Sequence, residues 1–298
     1  MADHKYVNVD ADPALDPNRF DLPEGFKERK PRKVSKKRIQ CSVTMAESGI
    51  DFITMKSTLD GAEIAYYSAV RQITAKQITN LSQEAAKIIK SRDFAKVETL
   101  EIRYKKQLAS AILAALKGLV KYGSQTVQDE LGVQKYIKHG EPDSTPVVWE
   151  SDDVEYYLRA KATAQANAIS DRLQNSVTFE TLAGMKNDDM TLTEWSQFME
   201  RKLTELSDRE LRKQINQSVN EAFNYGRSLE AERHAEDIEF VQYSAILDEN
   251  ICDTCEIHDQ EIWPYEDERT ATFAAGNPWC AGGDRCRCVL IYMLKGKA

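Results

Sequence analysis

The sequence contains no run of about 18 consecutive apolar residues, so no membrane-crossing helix is expected. Met1 to Asp21 has neither a basic segment nor an apolar stretch of the kind that directs secretion, which makes a reducing compartment the expectation. Glycine-rich phosphate loops and strained serine elbows are missing as well, which removes the usual signatures of nucleotide and acyl-transfer chemistry. Histidine is scarce, with four in 298 residues. His4, His139 and His234 stand far apart and read as ordinary surface residues. Cysteine is scarcer still before residue 250, where Cys41 stands alone, yet five cysteines crowd between Cys252 and Cys288.

What is present is the composition of a folded protein: 42% apolar and 30% charged residues, in a chain long enough for two domains. The formal net charge of −8 conceals an asymmetry. Between Lys27 and Arg38 lie Lys27, Arg29, Lys30, Arg32, Lys33, Lys36, Lys37 and Arg38 against Glu28, a local charge of +7 that leaves −15 on the remainder. A remainder so acidic repels polyanions, so contact with DNA or an acidic partner is expected only through that basic stretch. Pro13, Pro17, Pro23 and Pro31 interrupt the same region, and residues 1–60 read as an extended or disordered partner-binding arm.

A helical body is expected over 61–236. Ile78, Leu81, Ala85 and Ile88 form one stripe, and Leu100, Tyr104, Leu108, Ala111, Ala115 and Leu119 a second, with Ser91-Arg92-Asp93 as the break between two antiparallel helices. Gly123, Gly132, Gly140, Pro142 and Pro146 suggest a loop over 123–150. Ser151 then opens a helix with the buried face Val154, Leu158, Ala162, Ala166, Ile169 and Leu173. Thr191 with Glu194, and Ser207 with Glu210, have capping-box spacing. The second box precedes the stripe Leu211, Ile215, Val219, Ala222, Gly226 and Leu229. Trp149, Trp195, Trp263 and Trp279 read as packing anchors, since no basic stripe interleaves with them.

After Asp237 the pattern changes. Ile238–Leu247 and Val289–Leu294 are rich in β-branched and aromatic residues and are expected to pair as two strands. The fold class is therefore mainly α with a small C-terminal α+β unit: a helical bundle followed by a two-stranded, zinc-ribbon-like tail over 237–298. That tail is too small to be held by an apolar core alone, so a metal is expected to contribute to its folding.

The metal would be Zn2+, in a structural role. Cys252-x-x-Cys255 follows a strand in knuckle fashion, and Cys280-x5-Cys286-x-Cys288 comes after a loop of 24 residues. If Cys286 and Cys288 are extended, their side chains point to opposite faces and only one reaches the ion. The expected ligands are Cys252, Cys255, Cys280 and Cys286, with Cys288 and then His258 as alternates. A site closed by four sulfurs has no position for water. His258, Asp259 and Glu261 fail the zinc deaminase pattern, which requires H-x-E and P-C-x-x-C. No catalytic residue is assigned.

From about 214 to 298 the sequence resembles the phage head morphogenesis family, the minor head proteins typified by the F protein of phage Mu. The resemblance lies in Asn220-Glu-Ala-Phe-Asn224-Tyr-Gly226-Arg227, in Tyr243 to Asp248, in Cys252 and Cys255, and in Pro278 with Cys286-Arg287-Cys288. It departs where Asp259-Gln260 replaces the usual Asp-Gly, and where Gly283 stands at the position of a histidine, leaving Cys280 to take over as ligand. The resemblance implies a structural component of a tailed-phage or prophage head, located in the virion and in host cytoplasm during assembly. It implies action near the portal protein and other head components, and assistance in genome delivery. The alternatives from other classes are a zinc-ribbon nucleic-acid-binding protein using the basic arm, and a zinc-dependent hydrolase built on the His258 cluster.

Overall fold

The computed structural model describes residues 51–97, 100–139, 151–184, 190–245, 251–281 and 287–295. The eight basic residues of the arm, together with Cys41, Trp149 and Cys286, lie outside that set. Four long helices carry the structure: α1 (Phe52–Ser91), α2 (Lys105–His139), α3 (Asp152–Gly184) and α4 (Leu192–Arg233). They are followed by β1 (Ile238–Ser244), α5 (Asp253–His258), β2 (Ile262–Pro264), α6 (Glu268–Phe273) and β3 (Val289–Leu294).

Helix α1 begins at Phe52, inside the stretch assigned above to the arm, with Asp51 as its N-cap accepting from the Thr54 N–H. It ends at Arg92, which adopts the left-handed conformation at the expected break. Ile78, Leu81, Ala85 and Ile88 are all buried. Of the stripe expected along α2, Leu100, Leu108 and Leu119 are buried, whereas Ile112 and Leu116 take the buried places expected of Ala111 and Ala115, and Tyr104 is exposed. The six residues expected to form the buried face of α3 are all buried. Thr191 and Glu194 form a complete capping box at the start of α4.

Two features differ from the sequence reading. Helix α2 runs through to His139 rather than breaking at Gly123. That glycine is a contact residue: a Cβ there would lie 2.0 Å from the Phe223 carbonyl oxygen. Gly226 on α4 is its counterpart, 2.0 Å from the Val120 carbonyl oxygen by the same measure, so α2 and α4 cross backbone to backbone. The second difference is at Ser207, where α4 passes through without a new start. Nothing between Leu203 and Leu211 breaks a helix, and Ser207 is buried against the bundle.

The tail is a three-stranded antiparallel sheet in the order β2-β1-β3. The two expected strands pair, with Val241 opposite Tyr292 and Tyr243 opposite Leu290. The additional strand is Ile262-Trp263-Pro264, with Trp263 opposite Val241. Three residues ending in proline carry no readable alternation, and proline is confined to sheet edges, which is where β2 sits. The core of the sheet is continuous with the helices, since Val127, Leu131 and Ala231 pack into the same cluster as Val241, Tyr243, Trp263 and Tyr292.

Candidate metal centre

Cys252 is the extended residue before α5, and Cys255 sits in the first turn of that helix, which brings both thiols to one side. The third thiol comes from the turn after α6. Gly276 takes a φ of 104°, closed to most side chains, and packs against Asn220 of α4. Asn277 follows; its Oδ1 accepts from the Trp279 N–H at 2.9 Å, and its carbonyl accepts from the Cys280 N–H at 3.1 Å. This turn holds Cys280 against the knuckle.

The sulfurs of Cys252, Cys255 and Cys280 lie within 4.8 Å of one another, and those of Cys252 and Cys280 are 3.7 Å apart. Metal–sulfur bonds of ~2.3 Å in a tetrahedron place sulfurs about 3.8 Å apart, so the spacing suits a single ion. Cys255 is fully buried, and the other two are half-buried. Three of the four expected ligands are thus brought together, while Cys286 lies outside the described residues. Neither alternate belongs to this cluster of three. Cys288 is buried at the foot of β3, outside the cluster. His258 is also outside it, with Nδ1 3.1 Å from Glu261 Oε2 and its ring 5.1 Å from that of Phe273. Asp259 Oδ1 accepts from the Ala245 N–H, so it holds the end of β1.

Phe273 is the hub of the packing beneath the thiols, with the rings of Tyr243 at 5.1 Å and of Trp263 and Trp279 at 5.8 Å. Trp279 is nevertheless half exposed, so it is only in part the packing anchor expected. Asp267 caps α6 through the Arg269 N–H, and the Arg269 guanidinium, itself lying over Trp263, holds the Asp267 carboxyl down at about 2.

A second set of polar groups joins the sheet to the helices, and the sequence reading did not anticipate it as a set. Strand β3 is an edge strand, whose outward N–H and C=O groups need partners. Helix side chains supply them. Asn224 Nδ2 donates to the Cys288 carbonyl at 2.8 Å, and Arg227 Nη2 to the Leu290 carbonyl at 2.8 Å. Glu130 Oε1 accepts from the Tyr292 N–H at 3.1 Å. Gln134 donates to the Tyr292 carbonyl at 2.8 Å and accepts from the Leu294 N–H at 3.0 Å. The row stands where a fourth strand would stand.

Arg227 and Glu130 form an ion pair at 2.6 Å with each side chain 1% exposed, and Arg227 also donates to Thr126 Oγ1. Burial pushes the Glu130 carboxyl above its ordinary range against the pull of Arg227. Next to this row, Glu230 accepts from Ser124 Oγ and lies 3.2 Å from His234 Nε2. His234 is therefore a partly buried residue at the end of α4 and not the surface residue expected. Ahead of β3, Arg287 pairs with Asp60 and Glu63 and so ties the cysteine loop to α1.

The signal that would have revealed this row is the pairing Glu130/Gln134 and Asn224/Arg227. Each pair has one-turn spacing and lies within a stripe otherwise buried. No family model, curated protein or solved structure matches the chain. No helix among the described residues is long and apolar enough to cross a membrane.

Proposed function

We propose that this chain is a structural minor head protein of a tailed phage or prophage, similar to the Mu F type, acting at or near the portal during capsid assembly. The reading rests on the sequence resemblance, and one structural observation supports it. Asn220 to Arg227 and Cys288, which belong to the two most distinctive parts of that resemblance, lie far apart in sequence and meet through Asn224 on the Cys288 carbonyl, with Arg227 on the Leu290 carbonyl two residues later. They behave as parts of one unit, as expected of residues belonging to a single domain pattern.

On this reading the metal is a structural Zn2+ held by Cys252, Cys255 and Cys280 with Cys286 as the fourth ligand. Thiolates suit zinc, and four of them leave no open position for a reacting water. Among the described residues His258, Asp259 and Glu261 are engaged in local contacts, which favours scaffold over catalyst. The basic arm supplies the salt-dependent attachment to the portal, other head components or packaged DNA.

Co-expression with a portal protein encoded beside this chain, affinity capture and imaging of the particle test the proposal. Capture of the portal and density at the portal vertex are expected. A chain lacking residues 1–45 is expected to stay folded and metal-loaded but to be left out of particles. Absence from particles of the full-length chain overturns the head-protein reading. DNA binding retained without residues 1–45 would instead favour a nucleic-acid-binding ribbon.

A further inference from the structure

The three clustered cysteines are not equivalent. Cys252 and Cys280 are half-buried at the rim, whereas Cys255 is sealed inside. Beside the Cys255 sulfur stands the amide of Asn277, with Nδ2 at 3.5 Å and the residue only 8% exposed. The orientation of that amide is fixed independently, because the Trp279 N–H requires an acceptor and so selects Oδ1, leaving Nδ2 to face the sulfur.

On the other side is Tyr243, 1% exposed, whose hydroxyl is buried and makes no hydrogen bond of ordinary geometry among the described residues. A buried hydroxyl without a partner calls for an explanation. The groups facing it are the thiols of Cys255 and Cys288. A neutral thiol is a weak acceptor, but a metal-bound thiolate is a strong one.

We propose that Asn277 and Tyr243 are positioning residues of the metal centre, donating N–H···S and O–H···S hydrogen bonds to Cys255 when it is bound as a thiolate. This rests on the metal reading above and adds a division of labour to it. Cys255 is the anchored ligand, held by donors from the Cys280 turn and from β1, while Cys252 and Cys280 close the site from the rim. The Asn277-Pro278-Trp279-Cys280 turn thereby serves the ion twice, presenting one sulfur and orienting another. Gly276 against Asn220 sets where that turn sits on α4.

The test uses the full-length chain loaded with cobalt(II) as the probe, with affinity measured by chelator competition and helicity by circular dichroism. Asn277→Asp keeps an acceptor for the Trp279 N–H but removes the donor, whereas Asn277→Ala removes both. Both are expected to weaken cobalt binding about 10- to 100-fold, the usual effect of losing an outer partner of a ligand. Tyr243→Phe is expected to shift the sulfur-to-cobalt charge-transfer band to lower energy, because the thiolate regains electron density, with helicity unchanged. Parent-like affinity in Asn277→Asp with loss in Asn277→Ala would show that Asn277 only holds the turn, and an unshifted band in Tyr243→Phe would remove Tyr243. Either result overturns the donor assignment while leaving the metal site standing. A parent chain that takes up no cobalt overturns the metal reading, and the assignment with it.

Discussion

Replacing Arg227 with methionine probes the join between sheet and helices most directly. The substitution keeps most of the apolar volume and deletes the guanidinium. Glu130 is then left buried with the Tyr292 N–H as its remaining donor, and the Leu290 carbonyl and Thr126 hydroxyl each lose a partner. Breaking a buried ion pair by removing one member costs about 3–5 kcal/mol. Against a total stability of about 5–15 kcal/mol that is a large share. The second arm is Arg227→Met with Glu130→Gln, in which the carbonyl oxygen of the introduced amide can still accept from the Tyr292 N–H. Removing the stranded charge is expected to recover at least half of the loss. Urea unfolding followed by circular dichroism and tryptophan fluorescence reads both variants, since Trp195 lies in the bundle and Trp263 in the sheet. The pH dependence has a definite sign. A carboxyl whose folded pKa is raised binds its proton more readily when folded, so the cost of holding it ionised disappears as pH falls through that value. Without Arg227 to oppose burial the rise is greater, so the penalty of the single substitution should shrink on acidification. A single variant within about 1 kcal/mol of the parent at neutral pH would refute the role given to this pair.

The two glycine classes should separate cleanly by urea unfolding. Gly226→Ala places a Cβ 2.0 Å from the Val120 carbonyl and should cost about 1–3 kcal/mol, whereas Gly132→Ala meets nothing within 4 Å and should gain about 0.5–1 kcal/mol. Protein purified in reducing buffer without added metal should contain about one zinc per chain by elemental analysis, and stoichiometry near zero in a folded sample would reject the site. Cys252→Ser should raise hydrogen exchange across 251–281 while β3, held by α2 and α4, keeps its protection. Loss of protection in β3 as well would mean that the metal supports the entire sheet.

Much of the body was legible because its signal is local. The α3 stripe from Val154 to Leu173 needs only a 3.6-residue period, and the Thr191–Glu194 box needs only four consecutive positions. Glycine was misread where its reason is distant. Gly123 looks like a loop residue until Phe223, a hundred positions later, is seen against it. Ser207 with Glu210 has the spacing of a start, but capping requires a non-helical residue before it, and the bundle keeps that turn helical. The cysteines were legible as a cluster because thiols are rare in this chain and their spacing is characteristic. Asn277 and Tyr243 were not, since one is an ordinary turn residue and the other an ordinary strand residue until the sulfur between them is located. The Glu130–Tyr292 contact spans 162 positions and involves a backbone group, which leaves no mark in residue identity at the far end.

The row of helix side chains along β3 also bears on synthesis. A chain leaving the ribosome has α1 to α4 in hand long before Val289 appears, and until then Glu130, Gln134, Asn224 and Arg227 face an empty slot. Contacts between residues so distant in sequence are among the slowest to form. The bundle can thus assemble early with Arg227 and Glu130 already paired, but the further hydrogen bonds of both residues wait for β3. A product truncated before residue 289 would leave these side chains without their strand partners, in a polar groove open to proteolysis and to non-native pairing.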